Sequence, residues 1–69
     1  MTQEQINNIF TYHAPKGNQA ERYEEIRKHA RDFAWLLNCD CPESREKSIA
    51  LTKLQECVQM ANASIAINE

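Results

Sequence analysis

Residues 41–67 read CPESREKSIALTKLQECVQMANASIAI, with neither Gly nor Pro after Pro42. Leu51, Leu54, Val58, Ala61 and Ile65 recur there at alternating spacings of three and four. Such spacing puts them on one face of a long helix, along a heptad-like seam. Pro42 suits the first turn of a helix, where its missing N–H costs nothing. Glu43 and Glu46 follow in that positively polarised turn, where carboxylates are favoured. The expected helix, residues 42–67, is about 40 Å long. A small chain covers so long a helix only with a partner helix of its own and with further partners outside it.

That partner is found upstream. The run QAERYEEIRKHARDFAWLLN predicts a helix over residues 19–38, with Tyr23, Ile26, Ala30, Phe33 and Leu37 as its seam. Asn18 is placed to cap it, with Glu21 three residues on. Glu24 and Lys28 are spaced for a helix-supporting ion pair. Trp35 lies off the seam, where it either widens the apolar face or meets another subunit. The connector near Asn38 to Cys41 is so short that the two helices must run antiparallel.

Further out, Thr2 and Gln5 fit a capping box. They predict a short helix within residues 1–9, docked through Ile6 and Ile9 or Phe10. Residues 10–18, FTYHAPKGN, form an aromatic arm. Pro15 pushes Ala14 towards an extended backbone, and Gly17 beside Asn18 marks a turn. Phe10 and Tyr12 either staple this arm onto a helix or, for Tyr12, offer a flat face to a ligand base. The expected fold class is all-α: one domain spanning residues 1–69, a short N-terminal helix plus a long antiparallel αα-hairpin, assembled into a homo-oligomer. The motive for assembly is a second apolar face on the last helix, formed by Ile49, Cys57, Met60 and Ile67.

Composition narrows the function. A chain of 69 residues buries a thin core and is marginal as a monomer. Its net charge of -2 argues against a general binder of DNA or RNA polymers. The mean hydropathy of -0.69 and the absence of a long apolar run argue against a membrane span. MTQEQINN has neither the basic start nor the apolar core of a signal peptide, so a cytoplasmic protein with reduced thiols is expected.

Few residues suggest chemistry of their own. Cys39 and Cys41 form CxC, without the two-residue gap of zinc ribbons and redox motifs, and His13 and His29 have no paired spacing with them. Cys57 reads as a small buried hydrophobe. No metal site and no cofactor are expected. No nucleophile elbow, P-loop or zinc-protease motif occurs, and the acids and bases lie on helical faces at salt-bridge spacing, so an enzyme is not expected. The basic residues are more telling. Arg27, Lys28 and Arg31 cluster on the first long helix, with Arg27 and Arg31 one turn apart. Arg45 and Lys47 stand in the first turn of the last helix, beside N–H groups that attract anions. Repeated around a symmetric oligomer, these groups suit a small, multiply charged anion.

The runs IFTYHAP, ERYEEIRKHARDFA and CPESREKSIALTKLQECVQMANASIA together resemble the phage anti-CBASS sponge proteins of the second type, whose helical hairpin is shared with an anti-Thoeris sponge. The SREKSxALTKLxE…ANA run is the most specific piece, since neither periodicity nor composition requires it. The resemblance implies a homohexamer in the cytoplasm of an infected bacterial host. It would hold cyclic di- and trinucleotide immune messengers away from their effector without cleaving them. It further implies a cyclic-dinucleotide site between subunits, with Tyr12 on the base and Arg27 on the phosphates, Lys28 being the rival for the second role. A second, multi-subunit site for cyclic trinucleotides would use Arg45, Ser48 and Thr52. The alternative is a helical interaction module that inhibits a host factor through a hairpin face, with no ligand. A nucleotide-degrading enzyme is the third possibility, and it would need a metal site or an acid–base pair.

Overall fold

The computed structural model describes residues 1–69 and contains three helices and no strand: α1 (Gln3–Ile9), α2 (Gln19–Asp40) and α3 (Arg45–Asn68). The Thr2 hydroxyl accepts from the Gln5 backbone N–H, and the Gln5 side chain accepts from the Thr2 N–H, which closes the expected capping box. Asn18 occupies the N-cap of α2 without making a side-chain cap. Its neighbour Gln19 instead ties down the turn before the helix, its side chain accepting from the Lys16 N–H at 3.1 Å. The last helix starts later than residue 42. Ser44 is its N-cap and accepts from the Lys47 N–H at 3.1 Å, so Pro42 and Glu43 belong to the connector. A hydroxyl that satisfies a free helical donor outweighs the tolerance of Pro at a first position.

Helices α2 and α3 pack along each other, and they are the only pair of elements in extensive contact. Leu51, Leu54, Val58, Ala61 and Ile65 of α3 are all half-buried, as are Tyr23, Ile26, Ala30 and Leu37 of α2. Phe33 is not part of the seam. It is 49% exposed, and the half-buried Ala34 takes its place. Helical geometry gives the reason: Ala34 lies about 40° from Ala30 around the axis, Phe33 about 60° on the other side. The small side chain nearer the seam centre also lets the backbones approach. The Glu24 carboxylate pairs with Arg27 at 2.8 Å rather than with Lys28, both spacings being within reach on a helix.

No hydrophobic side chain is buried. The chain forms a slab of 45 × 28 × 12 Å, one helix layer thick. Its radius of gyration is 15.2 Å, where a compact globule of this length would have about 11 Å. The stripe opposite the α3 seam runs Ile49, Met60 and Ile67. Ile49 and Met60 are exposed, but Ile67 is half-buried because α1 lies against it, with Asn8 donating to the Ile67 carbonyl at 3.1 Å. Phe10 takes no part in that docking and is exposed.

Candidate functional site

The only buried residues are polar: Gln19, 4% exposed, and Lys47, 7% exposed. Each stands four positions before the first apolar residue of its seam, Tyr23 and Leu51 respectively, and so continues the seam by one turn. The two lie at opposite ends of the hairpin. At the closed end, the Lys47 ammonium donates to the Asn38 carbonyl at 3.0 Å and pairs with Glu43. A cation at the C-terminal turn of α2 meets unpaired carbonyls and the negative end of the helix dipole. It thereby ties the end of α2 to the start of α3. Sequence reasoning placed Lys47 among the anion-binding cations, but its charge is already spoken for inside the chain.

That tie sets the frame for Arg45, Ser48 and Thr52. All three are exposed on the first turns of α3. Their spacing puts them within about 60° of one another. Ser48 and Thr52 continue the flank that carries Gln55 and Gln59. A shallow groove of about 370 Å³ runs between the helices on that broad face, with Ala30, Ala34, Leu51, Leu54 and Val58 as its apolar floor and Arg27, Arg31, Gln55 and Gln59 on its rims. Arg27 therefore faces this groove. Lys28, one residue on, is exposed and outside it. The sequence sets Arg31 in the same anion-suited basic cluster as Arg27, but it singles out neither glutamine. The i, i+4 spacings of Arg27 with Arg31 and of Gln55 with Gln59 are the signals that place them together.

At the open end stands the arm. Tyr12 is 83% exposed and makes no hydrogen bond. Neither it nor Phe10 staples the arm to a helix. None of the three concavities of the single chain is lined by Tyr12, Lys28, Arg45, Ser48 or Thr52. Gly17 turns the arm into α2 at φ 57°, a conformation that side chains with a Cβ resist. Beyond the turn, Arg22 makes a two-pronged ion pair with Glu69. The hydrogen bond between them raises the Arg22 pKa above its ordinary value and lowers that of the Glu69 carboxyl. Both side chains keep much of their exposure to water, which screens the pair. Cys39, Cys41 and Cys57 are free thiols, and Cys57 is exposed rather than buried because it lies off the α3 seam; no three His, Cys, Asp or Glu side chains are grouped to hold a metal ion. No helix is long and apolar enough to cross a membrane.

A two-helix slab with a short N-terminal helix and an exposed aromatic arm is thus the whole of the architecture. The family model described as Acb2/Tad1, hairpin domain, matches residues 2–66. The chain belongs to that family. The match takes in all three helices almost to their ends, with the Acb2/Tad1 hairpin being α2 and α3. Acb2/Tad1 hairpin proteins are sequestering sponges, and membership implies a phage anti-defence role. No curated protein and no solved structure matches the chain.

Proposed function

We propose that the protein binds and sequesters host cyclic di- and trinucleotide messengers without cleaving them, as a homohexamer in the cytoplasm of the infected host. The observation that carries this reading is the incompleteness of the single chain. No apolar side chain is buried, and the candidate ligand contacts project outward without sharing a concavity. Sites of this kind become pockets only when subunits meet. A cyclic oligonucleotide is a compact polyanion with flat bases, and it calls for stacking platforms and charge-assisted donors. Tyr12 supplies the platform and Arg27, on the groove rim, the phosphate contact, in preference to Lys28 on the outer surface. Arg45, Ser48 and Thr52 form the second contact set, close to the free N–H groups of α3.

The test is titration of the purified protein with a panel of cyclic di- and trinucleotides, followed by calorimetry and native mass spectrometry. We expect a hexameric mass, saturable binding and release of unaltered ligand on heat denaturation. A linearised product formed with turnover would instead revive the enzyme. Exposed Phe33, Trp35 and Leu36 favour a second reading, a module docking on a host protein. A monomer that binds no cyclic nucleotide would support it.

A further inference from the structure

Polar ties converge where the arm meets the last turn of α3. Before the arm, Asn8 donates to the Ile67 carbonyl at 3.1 Å. His13 Nε2 lies 2.8 Å from the Asn8 carbonyl and, as the donor, folds the arm back over α1. After the arm, Gln19 is buried and holds the Lys16 N–H. One turn further on, Arg22 Nη1 donates to Glu69 Oε2 at 3.0 Å and Nη2 donates to Oε1. Arg22 Nε is buried without an acceptor, so within the chain the Glu69 carboxylate is the sole polar partner of this guanidinium. Residues 10–18 contain no helix or strand, and Tyr12 stands among them with its ring in solvent. Its position relative to the hairpin is therefore set by how the two ends of the arm are held.

We infer that the last turn of α3 is a latch that holds the aromatic arm at both ends, through the Ile67 carbonyl and the Glu69 carboxylate, with Asn8 and Arg22 as positioning residues for the Tyr12 platform. A tyrosine on a loose loop has to be ordered when a ligand binds, and that ordering weakens binding. An arm already held at both ends avoids most of that cost. Both grips come from one turn of one helix, so each can be released without touching Tyr12, Arg27 or the seam. The consequence for ligand rests on the stacking role proposed above for Tyr12, whereas the holding of the arm does not.

The arm carries its own reporter, the Lys16–Gly17 bond, which trypsin cuts when the segment opens. The parent protein and three variants are compared: Glu69→Gln, Asn8→Ala and the exchange Arg22→Glu with Glu69→Arg. Each is followed by mass spectrometry of the nick after Lys16, by circular dichroism and by cyclic-dinucleotide titration. We expect Glu69→Gln and Asn8→Ala each to nick about threefold faster or more with helicity unchanged. Each should bind dinucleotide more weakly by a similar factor, and the exchanged pair should return towards the original protein in both. Unchanged nicking in both single variants overturns the latch. Faster nicking with undiminished affinity, in a parent that binds, overturns the positioning of Tyr12. A parent that binds no dinucleotide sinks the sponge reading, and nicking with its recovery in the exchanged pair then decides the latch alone.

Discussion

At the closed end of the hairpin a buried ammonium, that of Lys47, holds the Asn38 carbonyl. At the open end a half-exposed ion pair, Arg22 with Glu69, holds the last turn of α3 to α2. Both join the same two helices, yet their surroundings differ. Lys47 has almost no water to fall back on, so its bond is expensive to lose. Arg22 and Glu69 exchange their bond for hydration with little change in energy. The closed end lies beside exposed Arg45, Ser48 and Thr52, and the open end beside the aromatic arm.

The most direct way to break this contrast is Lys47→Ala. It should lower the unfolding free energy by about 3 kcal/mol, the upper end for a hydrogen bond to a charged group, because the packed stem is lost as well. Urea denaturation measures it, and Glu69→Gln should shift the same midpoint far less. A larger loss from Glu69→Gln would reverse the ranking of the two ends. Next come the ligands. Arg45→Ala should weaken cyclic-trinucleotide binding roughly ten- to a hundredfold and leave cyclic dinucleotides nearly unaffected. Tyr12→Ala should do the converse, with a loss of about 1–3 kcal/mol per stacked base. Calorimetry showing equal loss of both ligand classes in either variant, with the oligomer intact, would mean that the two ends do not house separate sites.

Smaller effects sharpen the comparison. Gly17→Ala should cost about 1 kcal/mol through its backbone conformation alone, since open space surrounds the position of the added methyl. Asn is the better-tolerated substitute in that conformation, so thermal melts should rank Gly above Asn and Asn above Ala. The smallest effect is that of pH. The Glu69 carboxyl is held below its ordinary value, chiefly by its hydrogen bond to Arg22. Its contribution is therefore complete above the ordinary glutamate value and is lost as the pH falls through the depressed one. NMR shifts of the arm amides should move in that acidic window, while the bond from Lys47 to the Asn38 carbonyl, whose acceptor does not titrate, stays in place. Movement only above the ordinary value would contradict this sign.

Much of the hairpin is legible in residue spacing. The α3 seam from Leu51 to Ile65 is read without error, because apolar side chains at three- and four-residue steps have no other way to share a face. The α2 seam is read with one error. Phe33 and Ala34 both flank Ala30, and hydrophobicity favours Phe where angle and bulk favour Ala. The Thr2–Gln5 box is also legible, since both of its bonds are local. The start of α3 is not, because Pro42 and Ser44 each signal a helix start and only the bond actually made decides between them. Among the candidate contacts, Arg27 and Lys28 are inseparable by residue type, and only the position of the groove sets Arg27 on its rim.

The sequence by itself determined three helices, their antiparallel pairing, the faces they present to each other and the surplus of apolar surface. These follow from periodicity, turn chemistry and length, which act over a few residues. Tertiary structure alone decided which charges are buried between the helices and which face water. Lys47 and Arg45 are two residues apart in one helical turn, and spacing alone does not say that one is buried against Asn38 while the other faces water. Arg22 and Glu69 meet although they stand 47 positions apart in the chain. Pairing over that separation depends on where the helices lie in space, and no local rule of sequence contains it.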